Sequence, residues 1–149
     1  MRCYLDTTVL LHAASQQPSP AGEPSPVRDA CQRLVTAIGA GTVEAAISTE
    51  VLQELLHTAA WRQARAQGLA LVDLARTLFP HPLVVSSEAV GRAAALLRGE
   101  PRLGTRVALH AAVMAEGGLG EVISTDGEFG LVSGIRRLSP QDAVSLLRL

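Results

Sequence analysis

The sequence predicts an α/β protein: a mostly parallel sheet with helices on both faces. Three observations carry that expectation. Short apolar runs alternate with longer stretches of helical period along all 149 residues. Two of those runs end on an aspartate, Asp6 and Asp126, and α/β proteins place their chemistry beyond the carboxyl ends of their strands. The composition, 48% hydrophobic and 18% charged, suits a chain that buries a sizeable core and excludes a disordered tail protein.

Residues 2–5 (Arg-Cys-Tyr-Leu) read as a short buried strand, and Thr7 to Ala14 as a helix. Residues 15–26 (SQQPSPAGEPSP) are a Pro/Ser-rich loop, and Pro26 suits the first turn of the next helix. That helix carries Val27, Cys31, Leu34, Val35 and Ile38 at helical spacing and stops at Gly39-Ala-Gly41. Residues 42–47 predict a second strand. Ser48 is a good N-cap for a long helix to about Gln67; Gly68 breaks it, and a further helix runs to about Phe79. Pro80 and Pro82 flank a turn into a third strand, Leu83 to Val85. Ser86 or Ser87 caps a helix through Leu97, which Gly99 and Pro101 end. Thr105 caps the next helix, which ends at Gly117-Gly118. Residues 121–125 predict a fourth strand and 134–138 a short fifth, and Ser139-Pro140 opens a terminal helix. With no repeat and no second core, the expectation is a single domain over 1–149 with a four- or five-stranded sheet.

The 13 basic and 14 acidic side chains leave a net charge of −1, and every basic residue is Arg. Anion recognition must therefore use the guanidinium fork. The balance argues against a generic nucleic-acid coat protein, yet it is compatible with a nuclease whose cleft is acidic and metal-loaded. No run of about 18 uncharged apolar residues occurs, so no membrane partner is expected. Asp6 interrupts the apolar start that would imitate a signal peptide, which points to a cytoplasmic protein. Cys3 and Cys31 lack metal-thiolate spacing and read as core thiols.

There is no Gly-rich phosphate loop, no G-x-S-x-G and no H-E-x-x-H. What remains is a set of carboxylates in apolar settings. Asp6 reads either as an N-cap of the first helix or as a metal ligand at a strand end. Glu54 borders the stripe of Val51, Leu52, Leu55 and Ala59, where a carboxylate needs a partner or a cation. Glu50 reads as a solvated first-turn acid. Asp126 reads as an Asp-Gly turn or as a second strand-end ligand, and Glu128 as a solvent-facing turn residue. Together Asp6, Glu54 and Asp126 can converge on one cleft. Hard cations such as Mg²⁺ or Mn²⁺ take such oxygen ligands and serve phosphodiester cleavage without a nucleophilic side chain.

Four blocks carry a family resemblance: Leu5-Asp6-Thr7-Thr8-Val9-Leu10, residues 48–57 around Glu54, residues 104–112 around Arg106-Val107, and Ile123-Ser-Thr-Asp126-Gly-Glu-Phe129. In this order they resemble PIN-domain proteins of the VapC type, the toxin ribonucleases of bacterial toxin–antitoxin pairs. The resemblance implies a PIN-like three-layer sandwich, an acidic Mg²⁺ or Mn²⁺ site and cleavage of RNA. It also implies a homodimer and a cognate VapB-type antitoxin that blocks the cleft. It makes Asp6, Glu54 and Asp126 the catalytic metal ligands, with Thr7, Thr8 and Thr125 as supporting hydrogen-bonding residues. The Ala/Leu-rich helices at 51–60 and 69–79 are candidate partner surfaces, or else pack internally.

Val107 departs from the family pattern, which reads Arg-Asp-Ala with the Asp a central metal ligand. Two explanations stand. Val107 is an inactivating change, engineered or selected, or the chain is a natural degenerate member in which Glu116 or a water fills the gap. The alternative function is accordingly a non-catalytic PIN-like protein that binds antitoxin or RNA without cutting. A DNA-flap nuclease is a third reading, disfavoured by the short chain. His57 and His110, each three residues beyond a key position, read either as groups for RNA contact or proton transfer or, more commonly, as packing residues at a helix border. The Arg residues over 92–106 read either as a solvated surface, the commoner case, or as a phosphate-gripping rim beside the acidic cleft, with Arg102 and Arg106 its best RNA-binding candidates and Arg136 and Arg137 second.

Overall fold

The computed structural model describes residues 2–16, 25–61 and 65–149; most of the Pro/Ser-rich loop lies outside them. Four strands, β1 (Arg2–Leu5), β2 (Glu44–Ala46), β3 (Glu121–Ile123) and β4 (Arg136–Leu138), form one parallel sheet in the order β2-β1-β3-β4. The central strands are apolar on both faces, as a parallel sheet covered by helices requires. Cys3, Tyr4, Leu5, Val122 and Ile123 have no exposed surface.

Among the described residues seven helices surround the sheet: α1 (Thr7–Ala14), α2 (Pro26–Gly39), α3 (Thr49–Trp61), α4 (Arg65–Leu78), α5 (Ser87–Gly99), α6 (Thr105–Glu116) and α7 (Pro140–Leu147). The main helix contacts run α2 to α1 and α7, α3 to α4, and α5 to α6. Helix starts follow the expected cap chemistry in three places. The Ser25, Ser86 and Ser139 hydroxyls accept from the backbone N–H of Arg28, Ala89 and Asp142 respectively. Past the end of α6, Gly118 adopts φ +67°, a conformation that favours glycine.

The structure corrects four local expectations. Gly68 lies inside α4 rather than at a break; an interior glycine costs only about 1 kcal/mol, which packing on α3 offsets. Residues 83–85 form no strand, only a single parallel bridge from Leu83 to Ser48. That bridge is closed by Leu83 N–H to Ile47 O and Thr49 N–H to Leu83 O, both 2.8 Å, and helices beginning at Thr49 and Ser87 end the ladder there. The N-cap of α6 is Gly104, which has no side chain to cap with, and Thr105 is already helical. Glu128 is not simply solvent-facing: its Oε2 accepts from the Gly104 N–H at 2.7 Å.

Both thiols are buried. Burial pushes Cys3 up to about 11 and Cys31 up to about 12, so both stay protonated and behave as core groups. Among the described residues no helix is long and apolar enough to cross a membrane.

Candidate active site

The pairing of β1 with β3, Leu5 opposite Ile123, sets Asp6 beside Ser124 at the carboxyl ends of the two central strands. Asp6 occupies the N-cap position of α1 but makes no side-chain cap bond. Its carboxylate turns inward instead and is fully buried. Oδ2 accepts from Ser124 Oγ at 2.5 Å and from Thr8 Oγ1 at 2.7 Å, and Oδ1 accepts from Arg106 Nη1 at 2.9 Å. Burial by itself would raise the Asp6 pKa. The Arg106 charge and the Ser124 bond outweigh it, so the carboxylate is held below its ordinary range.

Glu54 enters from α3, whose buried stripe of Val51 and Leu55 docks the helix on the core. Its Oε2 accepts from Thr7 Oγ1. Its Oε1 lies 3.2 Å from His110 Nε2, and Arg106 Nη1 is 3.6 Å from Oε2. Here too burial opposes the charge, while the His110 hydrogen bond leads the contacts that hold the pKa low. Asp126 caps the 3-10 turn Gly127–Leu131 through Oδ1, which accepts from the Glu128 N–H at 2.9 Å. Its Oδ2 takes Arg106 Nη2 at 2.6 Å. Asp126 thus serves both as turn residue and as site residue.

Arg106 therefore does not stand on an outer rim. Its guanidinium lies among three carboxylates, and they push its pKa up against the effect of burial. Three formal negative charges surround one positive one. Val107, next along α6, is 2% exposed and belongs to the apolar core cluster.

Of the supporting threonines, Thr7 and Thr8 bond Glu54 and Asp6 through their hydroxyls, whereas Thr125 bonds through its backbone N–H to Thr8 Oγ1 at 3.3 Å. Glu116 is engaged elsewhere, accepting from Ser86 Oγ at 2.8 Å, and so does not fill the gap at position 107. Arg102 is exposed and paired with Glu100. Arg136 pairs with Glu121, and Arg137 Nη1 donates to the Ser124 carbonyl at 3.0 Å.

Sequence reasoning missed Ser124 and gave His110 no place among the site residues. Ser124 looked like strand interior, although its one-residue offset from the strand end was a usable signal. His110 is fully buried in the site rather than at a helix border. Its ring sits between Tyr4 and Phe129, with centroid distances of 5.6 and 6.3 Å. The helical period was the available signal, since His110 lies one turn beyond Arg106.

Asp6, Glu54 and His110 each offer an atom within 4.8 Å of the others, a spacing that fits a divalent ion. Asp126 joins this group through Arg106. A separate cavity of about 750 Å³, lined by residues that include Leu96, Leu103, Leu119 and Ile135, contains none of these groups.

No protein-family model matches the chain. Ribonuclease VapC7 of Mycobacterium tuberculosis is 34% identical over 146 residues, 96% of either chain. The fold is similar to a chain of VapBC2 from Rickettsia felis, solved bound to a DNA fragment from its promoter. That match has a TM-score of 0.70 and 16% identity, covering 93% of this chain and 98% of the other. It is also similar to a chain of VapBC-5 from Mycobacterium tuberculosis, with a TM-score of 0.58, 22% identity and the same coverage. On a relative this similar over nearly its whole length, and on an all-parallel sheet with acids at its strand ends, the chain belongs to the PIN-domain VapC family.

Proposed function

We propose that the chain is the toxin of a toxin–antitoxin pair and a divalent-metal-dependent endoribonuclease. One observation carries the reading. Three carboxylates from β1, α3 and the β3 loop converge on one point, and that point already holds a positive charge. The family resemblance to a ribonuclease supports RNA as the substrate. Asp6, Glu54 and Asp126 would hold Mg²⁺ or Mn²⁺, which when bound supplies Lewis-acid activation of water and stabilises charge on the phosphate.

The protein's own residues prepare the site. Ser124 and Thr8 fix Asp6 through one oxygen and leave the other facing the cleft. Thr7 holds Glu54 through Oε2, while Oε1 faces His110. Arg106 neutralises part of the carboxylate charge and must swing aside for a divalent ion to reach Asp6 Oδ1. Once released, its guanidinium suits an RNA phosphate. The direct test is RNA cleavage in millimolar Mg²⁺ or Mn²⁺. Asp6→Asn and Glu54→Gln should each lower the rate at least about 100-fold, beyond the 10–100-fold typical of groups that only support ligands. Equal rates for parent and variants would overturn the reading.

A second reading, binding without cleavage, is favoured by one feature: Arg106 fills the cation position while Val107 contributes no carboxylate. It predicts no metal-dependent cleavage at all, so the same assay separates the two.

Arg102 fits a phosphate contact, because it is exposed and lies four residues before Arg106. Arg102→Ala should weaken RNA binding and flatten its salt dependence by roughly one unit of log–log slope; an unchanged slope would remove Arg102 from the interface. For partners, α3 and α4 pack on each other yet leave Leu56, Leu69 and Leu74 exposed. Such apolar groups suit a VapB-type antitoxin or a second copy of the chain. The structural relatives are VapBC proteins, which supports the antitoxin.

A further inference from the structure

His110 has no part in the reading above beyond packing and a hydrogen bond, yet it is the most deeply placed ionisable group facing the carboxylates. Its Nε2 lies 3.2 Å from Glu54 Oε1 and 3.8 Å from Asp6 Oδ1. Its other nitrogen, Nδ1, lies 2.7 Å from Tyr4 Oη, which is 2.6 Å from Ser48 Oγ. All three side chains are buried.

This chain of groups supports either neutral tautomer of the ring. When Tyr4 donates to Nδ1, the Ser48 hydroxyl donates to Tyr4 and Nε2 carries its proton toward Glu54. When Tyr4 donates to Ser48 instead, it accepts from Nδ1–H, and the Nε2 lone pair faces Asp6 and Glu54. The number of protons is the same in both states: the two hydroxyls rotate and the ring proton is lost at Nε2 and gained at Nδ1. The second arrangement is the one a metal-ligating histidine uses, with its outer nitrogen fixed by a hydrogen bond from behind.

Position 107 belongs to the same stretch of α6, one turn before His110, and carries no donor. We propose that His110 Nε2 ligates the divalent ion with Asp6 and Glu54, turning an all-oxygen site into a mixed nitrogen–oxygen one. This rests on the metal-dependent reading and adds the ligand set and its consequence for metal choice. An imidazole donor favours Mn²⁺ over Mg²⁺, because Mg²⁺ takes oxygen ligands and gives up water reluctantly. Calorimetry should find Mn²⁺ bound at least about tenfold more tightly than Mg²⁺, with the ratio narrowing in His110→Gln.

The deciding measurement is the electron spin-echo modulation of Mn²⁺ bound to the unaltered protein. The expected result is coupling to a ¹⁴N nucleus that changes to the ¹⁵N pattern when the histidines are ¹⁵N-labelled. It should survive in His57→Gln and vanish in His110→Gln. Should His110→Gln fail to fold, labelling and the His57 variant still decide. Mn²⁺ bound without nitrogen coupling overturns the His110 assignment and leaves the metal-dependent reading intact. So does coupling lost in His57→Gln. Failure of Mn²⁺ to bind at all overturns both.

Discussion

Arg106→Met should lose about 2–4 kcal/mol of stability in the presence of a chelator and recover much of it in Mn²⁺. The loss follows from what the guanidinium holds. It bonds Asp6, whose side chain has no contact with solvent, and Asp126, and it lies 3.6 Å from Glu54. Removing one partner of a buried ion pair leaves the other charge uncompensated, which typically costs about 3–5 kcal/mol. A third of the Arg106 side chain is exposed, so water screens part of the interaction and the lower value applies. Recovery follows from charge. Without Arg106 the carboxylates keep three negative charges and an open cation position. An ion at 100 times its dissociation constant returns about 2.7 kcal/mol. Denaturant midpoints with EDTA and with Mn²⁺ make the comparison. A variant as stable as the parent in EDTA would mean that the ion pairs contribute nothing. Equal Mn²⁺ stabilisation of both proteins would mean that Arg106 does not compete with the metal.

Val107→Asp should also destabilise the metal-free protein, by about 2–4 kcal/mol, while raising RNA cleavage at least tenfold. Val107 is the third residue of α6 and sits in the core cluster. A carboxylate there is desolvated and adds like charge to the Asp6–Glu54 site. The helix dipole returns only about 0.3–1 kcal/mol of that cost. A divalent ion removes the repulsion, so stability becomes metal-dependent and the family's acid regains its place. Thermal unfolding across a Mg²⁺ or Mn²⁺ titration, run beside a cleavage assay, tests both halves. Tighter metal binding with no gain in cleavage would show that position 107 does not limit the chemistry.

The strand-end acids were legible in the sequence because their signal is local: an apolar run, then Asp6 or Asp126. Glu54 was legible from the helical period, since it borders the stripe of Val51 and Leu55 that docks α3 on the core. The rest depended on contacts far apart in sequence. Ser124 reaches Asp6 only because β3 lies beside β1, and no local pattern states the strand order. His110 shares a helix face with Arg106 by period alone, but which face meets the acids depends on how α6 docks. Arg106 was expected on a rim because its sequence neighbours are Arg92, Arg98 and Arg102. Its actual partners are 20 to 100 positions away. Gly68 and residues 83–85 were misread because propensity yields to packing and to the end of a ladder.

Those long separations have a consequence during synthesis. Asp6 is made well before its partners: its Arg106 and Ser124 contacts wait for residues 100 and 118 positions later in the chain. A nascent chain that stops before β3 lacks Ser124 and Asp126 together, so its early carboxylates have neither their clamp nor their third member. On the proposed reading, a translation product cut short before Asp126 would therefore not cleave RNA, because the three-carboxylate arrangement around Arg106 is complete only once Asp126 is in place.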